Sequence, residues 1–201
     1  MGRVAKAVGD PRGSLPSVFT HAQARQMGIS DRVLYRLRDS GAVQPISRGL
    51  YRRTDVEIAV DLDLLEIAQR APRATLCLTT ALARHGLTDE IPASIDVALP
   101  RGQHRPILAA PVTWHLFDPA SFDVGRVDAG VDERTDIAVY CPQRSIIDAL
   151  RLRHREGADL GYIALRRWLG RPGSVPSELL MMARRFPQAE KALREALEIL
   201  L

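Results

Sequence analysis

Residues 30–41 read SDRVLYRLRDSG, and residues 46–53, a few positions later, read ISRGLYRR. At 3.6 residues per turn, the first stretch forms a helix with two different sides. The apolar side chains share one side: Val33, Leu34 and Leu37. The other side carries polar and charged groups: Arg32, Tyr35, Arg36 and Asp39. One side is therefore expected to pack against the protein while the other stays free.

The preceding residues predict a partner for this helix. Thr20 suits the N-cap of a first helix over residues 21–28, whose final glycine ends it. Ser30 suits the N-cap of the second helix, which runs to Gly41. The pattern is that of a helix-turn-helix.

A basic hairpin, the wing, is predicted after the second helix. Residues 43–47 and 50–53 are strand-forming runs, and Arg48-Gly49 between them suits a tight turn because glycine tolerates positive φ. A winged helix-turn-helix places its second helix in the DNA major groove, and its wing contacts the backbone or the minor groove. The predicted DNA contacts are Arg32, Tyr35, Arg36, Arg48, Arg52 and Arg53.

These side chains suit different parts of DNA. Arg32 and Arg36 fit base edges, because a guanidinium group pairs with guanine through two hydrogen bonds. Tyr35 suits a base or a phosphate, and the wing arginines suit the backbone. The alternative is a helical hairpin that only displays its arginines to water.

Charge is distributed unevenly along the chain. Residues 1–53 contain ten Arg or Lys and three Asp, a net charge of +7, whereas the rest contains 18 basic and 21 acidic residues, a net charge of −3. Such asymmetry is typical of a protein whose basic end binds nucleic acid.

The pattern changes after residue 54, which predicts two domains, 1–54 and 55–201. The second shows helical segments at 64–71 and 76–87, the latter capped by Thr79 or Thr80. Strand-like runs follow at 94–100, 111–117 and 134–141, and further helical segments at 143–154, 158–170, 177–186 and 188–201. The predicted fold class is α+β: a winged helix-turn-helix, then a mixed domain with a small sheet and a helical end.

Composition narrows the class of protein. The chain is 46% hydrophobic and 26% charged, which is typical of folded globular proteins. It lacks the apolar run of roughly 18 residues that a membrane span needs, and it lacks a secretory signal, so the cytoplasm is the expected location. Cys77 and Cys141 have no C-x-x-C partner and are predicted to be buried thiols.

Motifs for catalysis are sparse. The sequence lacks the phosphate loops G-x-x-x-x-G-K-[ST] and G-x-G-x-x-G. Asp61 and Asp63 form D-x-D, but they precede a helix and are expected in its first turn. The five histidines are scattered, so neither a metal site nor a cofactor is predicted. The basic loop 101–105 either binds phosphate or an acidic protein surface, or is an exposed connection.

The whole pattern resembles the AbiEi-type antitoxins of bacterial type IV toxin–antitoxin systems. Four stretches carry the resemblance: VFTHAQARQMGIS, ISRGLYRR, LTTALARHGLTDEIPASIDVALPRG and DIAVYCPQRSIIDALRLRH. It implies a winged helix that represses its own operon by binding the promoter, with a homodimer on DNA as one arrangement. It also implies a second domain that counteracts a cognate nucleotidyltransferase toxin.

By position, the resemblance offers four residues of the second domain for partner binding: Arg101, Arg105, Arg144 and Asp148. The i,i+4 spacing of Arg144 and Asp148 predicts a structural ion pair instead. The chain departs from the family near its start, where Pro11, Gly13 and Pro16 interrupt the segment that forms an apolar helix in family members.

Two alternative functions stay open. The second domain could be an enzyme that inactivates the toxin covalently, for instance by phosphotransfer, with Asp61, Asp63, Asp96 and the 101–105 loop around a nucleotide. The missing phosphate loop argues against this reading. The weaker alternative is a transcription regulator that senses a small ligand.

Overall fold

The structure is a computed structural model that describes residues 15–56, 61–132 and 135–200. Within these ranges the strands are β1 Val18–Thr20, β2 Val43–Ser47, β3 Leu50–Arg53, β4 Thr75–Leu76, β5 Ile95–Pro100, β6 Val112–Phe117, β7 Arg126–Gly130 and β8 Asp136–Tyr140. The helices are α1 His21–Gln26, α2 Asp31–Asp39, α3 Leu62–Arg70, α4 Leu78–Arg84, α5 Pro119–Phe122, α6 Pro142–Arg151, α7 Arg153–Glu156, α8 Ala158–Leu169, α9 Pro176–Ala183 and α10 Pro187–Leu200.

The first part is a winged helix-turn-helix. Strands β2 and β3 form the predicted hairpin, and β1 pairs with β3, so the antiparallel sheet has the order β1-β3-β2. Thr20 caps α1 through a capping box with Gln23, because each side chain accepts a hydrogen bond from the other's backbone N–H. Gly49 has a φ of +77° in the two-residue turn, a conformation that favours glycine.

Both faces of this three-stranded sheet are covered. On the inner face, Phe19 and Val43 pack with Leu34 of α2 in one apolar cluster. On the outer face, Val18 and Leu50 pack with Leu65 of α3 in a second cluster. The wing sheet therefore lies between the helix-turn-helix and the first helix of the following part.

A five-stranded mixed sheet forms the centre of the second part, in the order β6-β5-β4-β8-β7. Its β5–β6 and β4–β8 pairs are parallel, while β4–β5 and β7–β8 are antiparallel. Helix α3 covers one face, where Leu64 and Ile67 pack against Val97 and Val139. The two-residue strand β4 joins two halves of the sheet that are distant in sequence.

The helical end has its own core. Helices α6, α8, α9 and α10 pack around fully buried side chains that include Ile146, Leu150, Leu165 and Leu193. Helix α6 contacts α8, α10, α9 and α4, so it is the central element of this bundle.

The structure confirms the α+β fold class and corrects several details. The residue before α4 is Cys77, so the predicted caps Thr79 and Thr80 lie inside the helix instead. Thr80 uses its hydroxyl to accept a hydrogen bond from the backbone N–H of Asp96 at 2.9 Å. Strands β1, β4 and β7 were not predicted, and Cys141 is half-buried rather than buried. Of the residues predicted to interrupt the segment 1–17, Pro11 and Gly13 lie outside the described residues and Pro16 lies within them, before β1.

Candidate nucleic-acid interface

The free side of α2 carries the side chains that were predicted to read DNA. Arg32, Tyr35 and Arg36 are exposed, and Leu34 on the opposite side is only 1% exposed. The helix therefore uses its apolar side for packing and presents the guanidinium groups to solvent. An exposed arginine on such a helix has the donors that guanine or phosphate requires.

Arg38 extends this surface and was missed by the sequence analysis. Its guanidinium carbon lies 4.9 Å from the centre of the Tyr35 ring, and its Nη2 donates to Asp39 Oδ1 at 3.0 Å. The stacking holds the tyrosine ring on the exposed side of α2. The i,i+3 spacing of Tyr35 and Arg38 was the sequence signal for this contact.

Contacts of Asp31 join α2 to α1. Asp31, the first residue of α2, lies 3.1 Å from His21 Nε2 and 3.7 Å from Arg25 Nε, measured from Asp31 Oδ1. Ile29 in the intervening turn is 5% exposed and packs into the inner cluster. The turn between α1 and α2 is thus held by the apolar packing of Ile29 and by the contacts of the Asp31 carboxylate.

The wing arginines have three different environments. Arg48 is exposed at the turn. Arg52 donates through Nη2 to Gln44 Oε1 at 2.8 Å, across the hairpin. Arg53 donates to both carboxylate oxygens of Asp55 and to the carbonyl of Leu15, and its side chain is only 16% exposed. The structure therefore gives Arg53 a structural contact at the base of the wing, and leaves Arg48 and Arg52 at its surface.

The structure separates the candidates for partner binding. Arg101 and Arg105 are exposed and make no ion pair with another residue of the described ranges. Arg144 is fully buried, and its Nε donates to Asp148 Oδ2 at 2.9 Å. Its Nη1 donates to the carbonyls of Ser121 and Val124, each at 2.8 Å. This corrects the assignment of Arg144 to a partner surface and confirms the predicted ion pair.

The carboxylates that suggested catalysis have structural contacts. Asp61 caps α3 by accepting from the backbone N–H groups of Asp63 and Leu64. Asp63 lies in the first turn, as predicted, where burial and the nearby Asp61 and Glu66 raise its pKa. Asp96 Oδ1 lies 2.9 Å from Nε2 of the buried His115.

Other groups also have defined surroundings. His85, at the C-terminal end of α4, places its Nε2 2.7 Å from the carbonyl oxygen of Tyr140. Burial raises the pKa of the Cys77 thiol well above its ordinary value, with Asp96 adding to the effect. Over the described ranges, no three His, Cys, Asp or Glu side chains are grouped as a metal site requires. Among the described helices, none is long and apolar enough to cross a membrane.

The winged helix-turn-helix of the first part agrees with a match to a known protein family. Residues 14–54 match the family AbiEi_4, described as "Transcriptional regulator, AbiEi antitoxin". The match confirms the predicted AbiEi resemblance. It covers β1, both helices and the wing, and the helices and the wing carry the exposed arginines.

Comparisons over the whole chain concern the fold. The crystal structure of the RV2827C protein from Mycobacterium tuberculosis is similar, with a TM-score of 0.51 and 17% sequence identity. The alignment covers 93% of this chain and 78% of that one. No curated protein matches the sequence significantly. The similarity to the solved structure extends beyond the AbiEi segment and supports a shared fold only.

Proposed function

We propose that this chain is the antitoxin of a type IV toxin–antitoxin system and represses its own operon. In this proposal α2 enters the major groove of promoter DNA, and Arg32, Tyr35 and Arg36 contact the bases. The single observation that carries it is the exposed basic side of α2, accompanied by the exposed Arg48 in the turn of the wing. The match of residues 14–54 to an antitoxin family of transcriptional regulators supports the same function.

The remaining DNA contacts belong to the wing. Arg48 and Arg52 lie at its surface and suit phosphates, which bind positive charge without regard to sequence. We leave Arg53 out of the proposed interface because Asp55 and the Leu15 carbonyl bind its guanidinium group. A homodimer on DNA is part of the proposal, because a pair of winged helices reads a palindromic site.

We assign the second action, against a cognate nucleotidyltransferase toxin in the cytoplasm, to residues 55–201. Arg101 and Arg105 are the candidates for contact with the toxin, because both guanidinium groups are exposed. The enzyme alternative receives no support from the carboxylates it would use, since Asp61 caps a helix and Asp96 pairs with His115.

Fluorescence anisotropy with DNA from upstream of the gene, compared with scrambled DNA, tests the repressor function. The wild-type protein should prefer its own promoter, and its affinity should fall steeply with salt. The double variant Arg32→Ala and Arg36→Ala should lose that preference, because each lost base contact costs about 1–3 kcal/mol. Toxin neutralisation, followed as growth on co-expression, should be retained.

A matched control removes the same charge elsewhere. Arg184 and Arg185 are exposed at the end of α9. Their replacement by alanine should leave the promoter preference intact. Equal binding of the wild-type protein to both DNAs, or equal effects of the two double variants, would contradict the proposal.

A further inference from the structure

A buried carboxylate lies where the wing, α3 and the 101–111 loop meet. Glu66 of α3 is only 1% exposed. Its Oε2 accepts hydrogen bonds from the backbone N–H groups of Ala109 and Ala110, each at 3.0 Å. These two bonds fix the carboxylate, so its other oxygen has a defined position.

Arg70 connects that carboxylate to the wing. It lies one helical turn after Glu66, and its Nε is 3.6 Å from Glu66 Oε1. Its Nη2 donates a hydrogen bond to the backbone carbonyl of Arg48 in the wing turn. A guanidinium that is oriented by a carboxylate makes a directional, charge-assisted bond, which suits it to hold a turn in place.

One other hydrogen bond among the described residues reaches the wing turn, from the backbone N–H of His21 to the carbonyl of Gly49 at 2.9 Å. The apolar contact with α3 involves Leu50 and the half-buried Ile46, on the hairpin strands and not in the turn. Beside the tip lies a cavity of about 540 Å³, lined by Ser47, Arg48, Glu66, Arg70, His104 and Ile107 among others. The turn thus has open space on one side, and the Arg70 bond is a second polar contact that restrains it, at the carbonyl of Arg48.

We propose that Glu66 and Arg70 are positioning residues for DNA binding, which hold the wing turn so that the Arg48 side chain meets the DNA backbone. The inference rests on the proposed repressor function. It makes DNA affinity depend on two side chains of the second part that do not themselves contact DNA.

Glu66→Gln is the informative substitution. The amide oxygen still accepts from Ala109 and Ala110, whereas the neutral amide NH₂ replaces the charged oxygen that lies 3.6 Å from Arg70 Nε, so the ion pair is lost. Because the change removes a negative charge, electrostatics alone predicts equal or tighter DNA binding. The positioning role predicts weaker DNA binding, so the two explanations predict changes in DNA affinity of opposite sign.

A double-mutant cycle with Arg48→Ala completes the test, with anisotropy on promoter DNA over a salt series. Arg48→Ala should lower the slope of log K against log salt by about 0.9, the value for one lost phosphate contact. Glu66→Gln should produce a similar decrease, and the double variant should show no further loss. Glu190→Gln is the matched control, because Glu190 also pairs with an arginine four residues later, on α10.

The outcomes separate this inference from the function on which it rests. Failure of the wild-type protein to prefer promoter DNA refutes both. If the wild type binds, three results overturn the positioning role alone: wild-type affinity in Glu66→Gln, no effect of Arg48→Ala, or additive losses in the double variant. If urea unfolding shows that Glu66→Gln does not fold, Arg70→Lys replaces it in the same double-mutant cycle.

Discussion

At the scale of single residues, Arg144 shows how burial changes the role of a basic side chain. Its guanidinium bonds to Asp148 and to two backbone carbonyls, and it lies 4.2 Å from the Tyr140 ring centre and 4.4 Å from that of Phe186. Asp148 also accepts from Arg151 Nε at 2.6 Å. The i,i+4 spacing in the sequence predicted the pair, but only the fold shows how completely it is enclosed.

Arg144→Ala should lower the free energy of unfolding by about 3–5 kcal/mol, because it leaves a buried carboxylate with fewer partners. Urea unfolding measures the effect. The exposed pair of Arg194 and Glu190 provides the comparison, since Arg194→Ala should cost only about 0.3–0.5 kcal/mol. Similar losses for the two variants would show that the buried network contributes little.

Glu66 should make stability depend on pH. Burial by itself raises its pKa, but the nearby Ser47 hydroxyl, the hydrogen bonds from the Ala110 and Ala109 backbone and the charge of Arg70 outweigh it, so the pKa lies below the ordinary value. A lowered pKa stabilises the fold fully above the unfolded-state pKa of about 4.3, and the contribution disappears as pH falls through the folded-state value. Urea midpoints over this range should decrease less steeply in Glu66→Gln than in the wild type.

The Glu66 and Arg70 contacts could not be predicted from sequence. The helical pattern of residues 64–71 indicated only an amphipathic helix. Their partners are the Arg48 carbonyl and the Ala109 and Ala110 amides, which are distant in the chain. A local pattern cannot report contacts of that kind, because periodicity describes one element at a time.

At the scale of elements, the close packing of α8 on α6 depends on one glycine. A Cβ on Gly161 would lie 2.8 Å from Leu150 Cδ2 and 3.1 Å from its backbone nitrogen. Those distances are shorter than van der Waals contact, and the backbone atom cannot move without shifting α6. The helices therefore approach as closely as they do because position 161 has no side chain.

Gly161→Ala should destabilise the protein, although alanine favours a helix by about 1 kcal/mol. Overpacking of the interface costs about 1–3 kcal/mol and outweighs that gain. Gly170→Ala is the control, because a Cβ there meets only ordinary contacts at 3.7 Å and the φ is −72°. Thermal unfolding of both variants tests this, and a higher melting temperature for Gly161→Ala would show that the helices can separate without cost.

The sequence predicted helices and strands whose own residues show a cap position, a turn glycine or a clear apolar periodicity. It did not predict strands that lack these features. Helix α2 has a serine at its N-cap position and a clear apolar side, and the wing has a turn glycine, so their bounds followed from the sequence, although the Ser30 side chain makes no cap hydrogen bond. Strand β4 has two residues within an apolar run that also suits a helix. Strand β7 is an exposed edge with the sequence RVDAG, which lacks the apolar alternation of a half-buried strand. Both acquire their conformation from pairing with β8.

At the scale of the whole molecule, the two parts share an apolar cluster, although the sequence predicted a boundary near residue 55. Leu65 is fully buried against Val18 and Leu50. The predicted division into 1–54 and 55–201 remains a proposal about function. In packing, the outer face of the wing sheet needs α3.

Leu65→Ala should therefore loosen the wing as well as α3. Removal of a buried leucine side chain costs about 2–5 kcal/mol. Hydrogen exchange should become faster at the amides of β1 and β3, which lie outside the substituted helix. Unchanged exchange in these strands, with faster exchange confined to α3, would show that the winged helix is stable alone.

The shared cluster also has a consequence during synthesis of the chain. A ribosome releases residues 18–53 before α3, so the nascent winged helix emerges with Val18 and Leu50 facing water. Until Leu65 follows, the newly made sheet presents an apolar surface to which chaperones or a neighbouring nascent chain can bind. In this protein, the winged-helix fold is completed by residues that are translated after it.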